Sequence, residues 1–500
     1  MMLRSSLPQG DAAVPRLLRR PRLGTEIRRI ALPLLAFALG TALVGCVDDA
    51  DDTDGLPYTP PSDTPVATRY GAIGNSLTAG FINGGLIEGG QLASYPRVIA
   101  AQAGWDTPQI PQIASPGIGS TPGQSALYIT PTGTISAKPV PNPLVLLANA
   151  TLPRPYDNLG VPGATTKDLL DAVNSGTSQS GNNPFFDLIL RNSALPPFGQ
   201  PRTVLDQMED RNPNALTVWI GNNDILGGAL GGNPVVGGNI TPPEAWQLLF
   251  SGVVARLDAM NAEYVAIANI PNIVDIPYVT TIPPALGPGV SFNTDEDDVA
   301  YVLLPFALLA ASNPDTLGTF IGALGGTNSL PSNWTLTADE ATTITQTAAA
   351  YNQVIQSACA ARGWAYVDIS TELAALPKNP LDRQLDVVNG FFPLVPEIST
   401  QGFALLPNPL SAFSLDGVHP SEIGSALVAN AFIRAFNSEY NLDITEKDLS
   451  TVHNVTGFEE APFGRPFGST PGSLGTSHFA ASQDALTAIE TLPTLFGIAQ

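Results

Sequence analysis

Five short apolar runs punctuate the chain, at residues 68–73, 156–161, 215–220, 264–270 and 364–369. Between them lie segments whose apolar residues recur every three or four positions, at 94–103, 166–173, 201–210, 243–262 and 339–361, and another follows the last run at 421–437. Short apolar runs of this kind predict buried strands, and the longer periodic segments predict helices with one apolar face. Regular alternation of strand and helix brings the strands together in parallel and covers both faces of the sheet. The expected fold is therefore α/β, a three-layer αβα sandwich around a five-stranded parallel sheet. In such sheets the ligand site lies beyond the carboxyl ends of the strands, so chemistry is to be sought just after each apolar run.

Three long stretches break the alternation, at 104–155, 271–338 and 370–415, all dense in Pro, Gly and Asn. Loops of that length inside a compact domain are usually functional, and these are expected to build the rim of the site. Composition agrees: 47 Gly, 47 Pro and only 13% charged residues favour ordered loops over long exposed helices, while 44% hydrophobic residues fill a sizeable core. Length alone allows several domains, but the pattern argues for one, residues 67–440, carrying the three insertions. Residues 441–500 form a C-terminal extension in which no chemistry is read, although Gln483 to Ile498 has the pattern of an apolar-faced helix.

The amino-terminal region reads as an export signal over residues 1–45. Arg16, Arg19, Arg20, Arg22, Arg28 and Arg29 precede an apolar stretch from Ile30 to Val44, interrupted by Pro33 and Gly40. That stretch is shorter than the roughly 20 residues a helix needs to span a bilayer. Leu43-Val44-Gly45-Cys46 resembles the bacterial lipobox, which implies cleavage before Cys46 and lipidation of its thiol. Val47, where an acidic residue would signal retention, resembles the outer-membrane sorting pattern of some Gram-negative bacteria. Residues 46–66 are acidic and Pro-rich, as expected of a solvated tether. The protein is thus expected to be exported and held on the cell envelope by a lipid anchor.

Charge excludes some partners. The whole chain carries a net charge of −22, and without residues 1–46 it keeps 15 basic and 42 acidic side chains, a net −27. Nucleic acids and anionic headgroups need basic surface and are excluded as electrostatic partners. The two cysteines are Cys46 and Cys359, so with Cys46 lipidated no internal disulfide forms, and a Cys-x-x-Cys redox motif or cysteine zinc site is absent. Cys359, in the periodic segment 348–361, reads as a buried helix residue.

Gly74-Asn75-Ser76-Leu77 closes the first apolar run and presents a serine where a strand turns into a helix or loop. A serine alone is a poor nucleophile and needs a base and oxyanion donors. Three further segments supply them in order: Asn158-Leu159-Gly160-Val161-Pro162-Gly163, Trp219-Ile220-Gly221-Asn222-Asn223-Asp224, and Asp416-Gly417-Val418-His419-Pro420. A histidine three residues after an aspartate on one turn can have its tautomer held by that carboxylate. Each segment alone is a common turn or surface motif. Together, in this order and three of them just after predicted strands, they resemble blocks I, II, III and V of the SGNH (GDSL) hydrolase superfamily over roughly residues 69–440.

The resemblance implies a flavodoxin-like fold with no cofactor and no metal. It implies Ser76 as nucleophile and first oxyanion donor, and the Gly163 N–H as second donor, with Gly160 as the alternative register. It further implies the Asn223 amide as third donor in preference to Asn222, His419 as base and Asp416 as its orienting acid. Asn75 stands where the family name has Asp, which affects positioning rather than the reaction. His453 and His478 lack a carboxylate or metal ligand at useful spacing and do not compete.

The implied activity is that of a serine ester hydrolase, of esterase or lipase type, acting on small-molecule or lipid carboxylic esters. Trp105, Phe185-Phe186, Leu188, Leu249-Phe250 and Phe391-Phe392 with Leu394 are candidates for an acyl pocket, although core is the commoner role for such residues. The alternatives are polysaccharide O-deacetylation at the same site and a non-catalytic surface-binding lipoprotein.

Overall fold

The computed structural model of the protein describes residues 69–461 except 197, 283–284, 288–289, 292–293, 295–296, 307, 309–328, 377–392 and 400–401. The export signal, Cys46, the tether, Phe391, Phe392, His478 and the segment from Gln483 lie outside the described residues.

Five strands form the central sheet: β1 (Tyr70–Gly74), β2 (Asn158–Gly160), β3 (Ala215–Trp219), β4 (Tyr264–Ala268) and β5 (Ala365–Val367). Their order is β5-β4-β3-β1-β2, and every neighbouring pair is parallel. All five apolar runs are therefore strands. The register sets Gly74 beside both Gly160 and Trp219, so three strands end level with one another. Because the order reverses at β1, a crevice opens between the loops that leave β1 and β3.

The two-residue alternation along each strand sorts side chains between two cores. Leu216, Val218, Val265 and Ile267 share one core with helices α3 (Thr166–Asp171), α4 (Val204–Arg211), α6 (Pro243–Met260) and α7 (Ala338–Ala360). Ala215, Trp219, Tyr264, Ala266 and Ala268 face the other, with helices α2 (Tyr95–Ala103) and α8 (Glu422–Tyr440). On that second face the strands offer alanines, and aromatic rings fill the space they leave. Tyr95 stacks on Phe432 with centroids 4.7 Å apart, and Trp105 lies 5.2 Å from Tyr70. Helices α3, α4 and α7 each begin with a reciprocal capping box, at Thr165, Thr203 and Thr337. Cys359 is buried in α7, where desolvation pushes its thiol up to about 12.

Several short helices escape the periodicity reading, and two of them follow the ends of β1 and β3. Helix α1 (Ser76–Ala79) is a single turn, and α5 (Asn223–Leu230) contains two adjacent glycines that lower its intrinsic helix propensity. Every residue of α5 is buried, so tertiary packing overrides propensity there. The long insertions are not plain loops. Segment 104–155 supplies short strands, Ile118–Gly119 against Gly85–Leu86 and Tyr128–Ile129 against Ile135–Ser136. Segment 370–415 contains the antiparallel pair Leu394–Ser399 and Gly402–Pro407.

Strand β2 approaches the turn after β1 so closely that position 160 admits no side chain. A Cβ there would sit 2.5 Å from the Ala79 nitrogen and 2.9 Å from the Asn75 carbonyl oxygen, backbone atoms that cannot yield. Gly160→Ala should therefore destabilise the protein by about 2 kcal/mol or more, the cost of forced overpacking. Urea unfolding of the variant with an unchanged midpoint would show that the two segments are free to separate.

Candidate active site

Asn75 opens the turn after β1. Its Oδ1 accepts the Leu77 N–H at 3.0 Å and caps α1, so Ser76 becomes the first residue of that helix, with its N–H outside the helical bonding pattern. Asn75 Nδ2 also reaches Asn222 Oδ1 at 3.4 Å, linking the ends of β1 and β3.

The loop before α8 carries Asp416 and His419 to the same place across more than three hundred residues of sequence. His419 Nε2 lies 2.9 Å from Ser76 Oγ, and its Nδ1 lies 2.9 Å from Asp416 Oδ2. Asp416 and His419 are fully buried and Ser76 is 2% exposed. Burial alone pushes the Asp416 carboxyl up, but the adjacent His419 and the donated hydrogen bonds outweigh it and hold the carboxyl below the usual range. Its Oδ1 accepts the Val418 and His419 N–H groups, both at 2.8 Å, and its Oδ2 accepts the Gly84 N–H at 2.5 Å. The Phe81 ring packs 4.7 Å from the imidazole. An imidazole so held can take the proton of the serine hydroxyl.

Of the remaining sequence candidates, Asn222 and Asn223 line the cavity at this chain of bonds, and Gly163 is not among the lining residues. Asn223 opens α5 and donates one amide hydrogen to the Ala164 carbonyl at 2.8 Å, which leaves the second for a ligand. Asn222 and Asn223 both line the cavity beside Ser76 and His419. Gly163 has a φ of +79° in the turn after β2, and the buried Asn183 holds that turn by donating to the Pro162 carbonyl at 2.7 Å. The Gly160 N–H is taken by Asn158 Oδ1 at 2.9 Å, and is thus engaged within the protein.

The cavity at Ser76 opens to solvent. Leu226, Ile273, Ile276, Leu373, Phe413 and Val428 form its apolar wall, and apart from His419 none of its lining side chains is ionisable. The rim comes from 271–276, 373 and 412–413, within two of the insertions; segment 104–155 contributes no lining residue. The candidates offered for an acyl pocket take the commoner role instead. Trp105, Phe185, Phe186, Leu188, Phe250 and Leu394 are core residues, and neither they nor half-buried Leu249 line the cavity. Their positions direct them into the core, whereas the wall is built from apolar residues that no spacing rule collects. Among the described residues, no helix is long and apolar enough to cross a membrane and no group of three His, Cys, Asp or Glu is arranged to hold a metal ion.

The sequence reading missed Asp224, the carboxylate that closes the Gly221-Asn222-Asn223-Asp224 motif. Its Oδ2 accepts both the N–H and the hydroxyl of Thr166 at 2.9 Å, and its Oδ1 accepts the Thr241 hydroxyl at 3.1 Å. The strand-to-helix turn carrying Asn223 is thereby tied to the start of α3, just after Gly163. Complete burial raises the Asp224 carboxyl to about 6, against 3.8 for a free one. Between those values the folded protein holds a proton that the unfolded chain has released, so stability falls as pH rises through this window. The stability of Asp224→Asn relative to wild type should accordingly rise by about 3 kcal/mol between pH 4 and pH 8, as read by urea unfolding. A pH-independent difference between the two proteins would show that Asp224 is ionised throughout.

The sequence profile of the GDSL-like lipase/acylhydrolase family matches residues 70–432. Comparison with curated proteins gave no match. Among solved structures, the chain is similar to a catalytic mutant of an acetylxylan esterase from Geobacillus stearothermophilus, at 11% identity and a TM-score of 0.32, covering 75% of this chain and 96% of that one. It is also similar to phospholipase A1 from Streptomyces albidoflavus NA297, at 14% identity and a TM-score of 0.28, covering 75% and 100%. An alpha/beta hydrolase enzyme from the metagenome of Lake Arreo, Spain, matches at 12% identity and a TM-score of 0.31, covering 74% and 96%. With its profile match spanning most of the sequence, the chain belongs to the GDSL-like lipase/acylhydrolase family and is an ester-hydrolysing enzyme of that family.

Proposed function

We propose that the protein hydrolyses carboxylic esters of apolar acyl groups through Ser76, His419 and Asp416. His419 Nε2 takes the hydroxyl proton as Ser76 Oγ attacks the ester carbonyl carbon, while Asp416 stabilises the resulting imidazolium. The tetrahedral oxyanion is held by the Ser76 and Gly163 N–H groups and the free hydrogen of the Asn223 amide. His419 then returns its proton to the departing alkoxide, and water repeats the sequence to release the acid. The single observation that carries this reading is the pair of 2.9 Å contacts that link Ser76 Oγ through His419 to Asp416.

The apolar wall of the cavity favours an acyl chain over a sugar. A polysaccharide deacetylase needs polar groups for carbohydrate hydroxyls, and away from the reacting residues this wall offers aliphatic and aromatic carbon. We also propose export and lipid attachment at Cys46, supported by the Leu43–Cys46 sequence alone.

Ser76→Ala and His419→Ala should each lower kcat by about 10⁴-fold or more, and the double variant should be no worse than either, because the two act as a unit. Asn223→Ala should lower kcat by about 10² to 10³-fold with KM nearly unchanged, and Asn222→Ala far less. Normal turnover in Asn223→Ala, or a larger defect in Asn222→Ala, would move the donor to the neighbouring residue.

Substrate preference is tested with p-nitrophenyl esters of acetyl, butyryl, octanoyl and palmitoyl acids. The expected kcat/KM increases from acetyl to the medium chains, by about 10-fold per two buried methylenes. A maximum at acetyl, with activity on acetylated xylan, would favour the deacetylase reading instead.

A further inference from the structure

Directly after the nucleophile helix the chain makes a tight antiparallel hairpin, Phe81 pairing with Leu86 and Ile82 with Gly85. Its two turn residues, Asn83 and Gly84, both have left-handed backbones, with φ of +53° and +68°. Asn-Gly is the favoured pair for such a turn. Asn83, however, is 1% exposed, which is unusual for a hairpin tip, and every polar group it owns is used. Its N–H donates to Ser414 Oγ at 3.0 Å, and its Oδ1 accepts the Leu415 N–H at 2.9 Å. Its Nδ2 donates to the Thr456 carbonyl at 2.8 Å. The next N–H, that of Gly84, is the one received by Asp416 Oδ2.

Residues beyond the family match complete the arrangement. The Asn454 side chain accepts the Ile423 N–H and donates to the Ser411 carbonyl, and buried Glu422 accepts the Val455 and Thr456 N–H groups through Oε1. The tail 454–456 is thus bonded to both ends of the loop that carries Asp416 and His419, and through Thr456 to Asn83. Residues 454–456, in an extension whose sequence shows no chemistry, therefore lie beside the site.

We propose that Asn83 is a positioning residue for ester hydrolysis, joining the hairpin behind Ser76 to the Asp416–His419 loop and to the tail 454–456. It touches no reacting atom. Its role is to hold two segments over three hundred residues apart in register, so that His419 Nε2 remains within hydrogen-bonding reach of Ser76 Oγ. The inference rests on the catalytic reading above.

Asn83→Gly tests it cleanly, because glycine adopts the left-handed backbone without strain and keeps the N–H to Ser414, losing only the two side-chain bonds. Ser414→Ala removes the acceptor from the opposite side. The kinetics of p-nitrophenyl butyrate hydrolysis are measured well below each melting temperature, together with the rate at which a saturating fluorophosphonate modifies Ser76. Asn83→Gly should lower kcat and the modification rate by about 10 to 10²-fold with KM within about twofold, the cost of a misplaced reacting group. Ser414→Ala should give the same pattern with a smaller loss. A normal kcat in folded Asn83→Gly, or a defect confined to KM, overturns the proposal even if the melting temperature falls. If Asn83→Gly does not fold, Ser414→Ala decides by the same criterion. Ser76→Ala, assayed in parallel, separates the two claims: residual turnover there removes the catalytic reading itself, whereas an inactive Ser76→Ala beside a fully active Asn83→Gly removes only the positioning role.

Discussion

A carboxylate with no solvent contact can stay ionised only if donors surround it, and Asp416 sets that requirement for the whole site. Burying the charge costs several kcal/mol unless hydrogen bonds and an opposite charge compensate. Asp416 collects four such contacts, from the Val418, His419 and Gly84 N–H groups and from the His419 ring. Three are local, supplied by the turn that carries Asp416 and His419. The Gly84 bond is not, and it obliges the hairpin after Ser76 to lie against the loop before α8. With hairpin and loop in contact, Phe81 covers the imidazole, and the ring's remaining nitrogen faces Ser76.

The opposite side of the site is organised by the sheet. Because β1, β2 and β3 end level, the turns that follow them converge, and each must satisfy backbone groups that no strand partner covers. The protein does this by cross-bonding the turns to one another. Asn158 Nδ2 donates to the Thr78 carbonyl, Asn223 to the Ala164 carbonyl, and Asp224 accepts from Thr166. Donors fixed in this way need little reorganisation when negative charge develops nearby, and an apolar cavity wall keeps the local dielectric low enough for them to matter.

Much of the sheet was legible in the sequence because burial on both faces writes each strand as an apolar run, and α4, α6, α7 and α8 carry an apolar stripe long enough to display its period. Residues of the candidate site were legible for a different reason, since each sits in a compact motif and three of the four motifs follow a strand end. Asn83 and the tail 454–456 were not. Asn83 meets the loop and the tail across more than three hundred positions, and locally the two segments read as an ordinary Asn-Gly turn and a polar extension. The Asn-Gly pair between Phe81-Ile82 and Gly85-Leu86 was the available signal for the hairpin, but only the fold reveals what that hairpin touches. The cavity wall was illegible too: Leu226, Ile276, Leu373 and Val428 come from four separate elements, so no window of sequence contains them together.

Asn75 shows how local hydrogen-bond supply decides residue type next to Ser76. The position is completely buried, and the contacts around its side chain are one donor, the Leu77 N–H, and one acceptor, Asn222 Oδ1. An amide answers both, whereas a carboxylate would meet one donor and an opposing oxygen while carrying a charge out of water. The cap on α1 needs only an acceptor oxygen, and the histidine takes its carboxylate from position 416. In this chain a neutral residue at 75 therefore meets every demand of the turn, and the acid of the site is left to the one position where four donors converge on it.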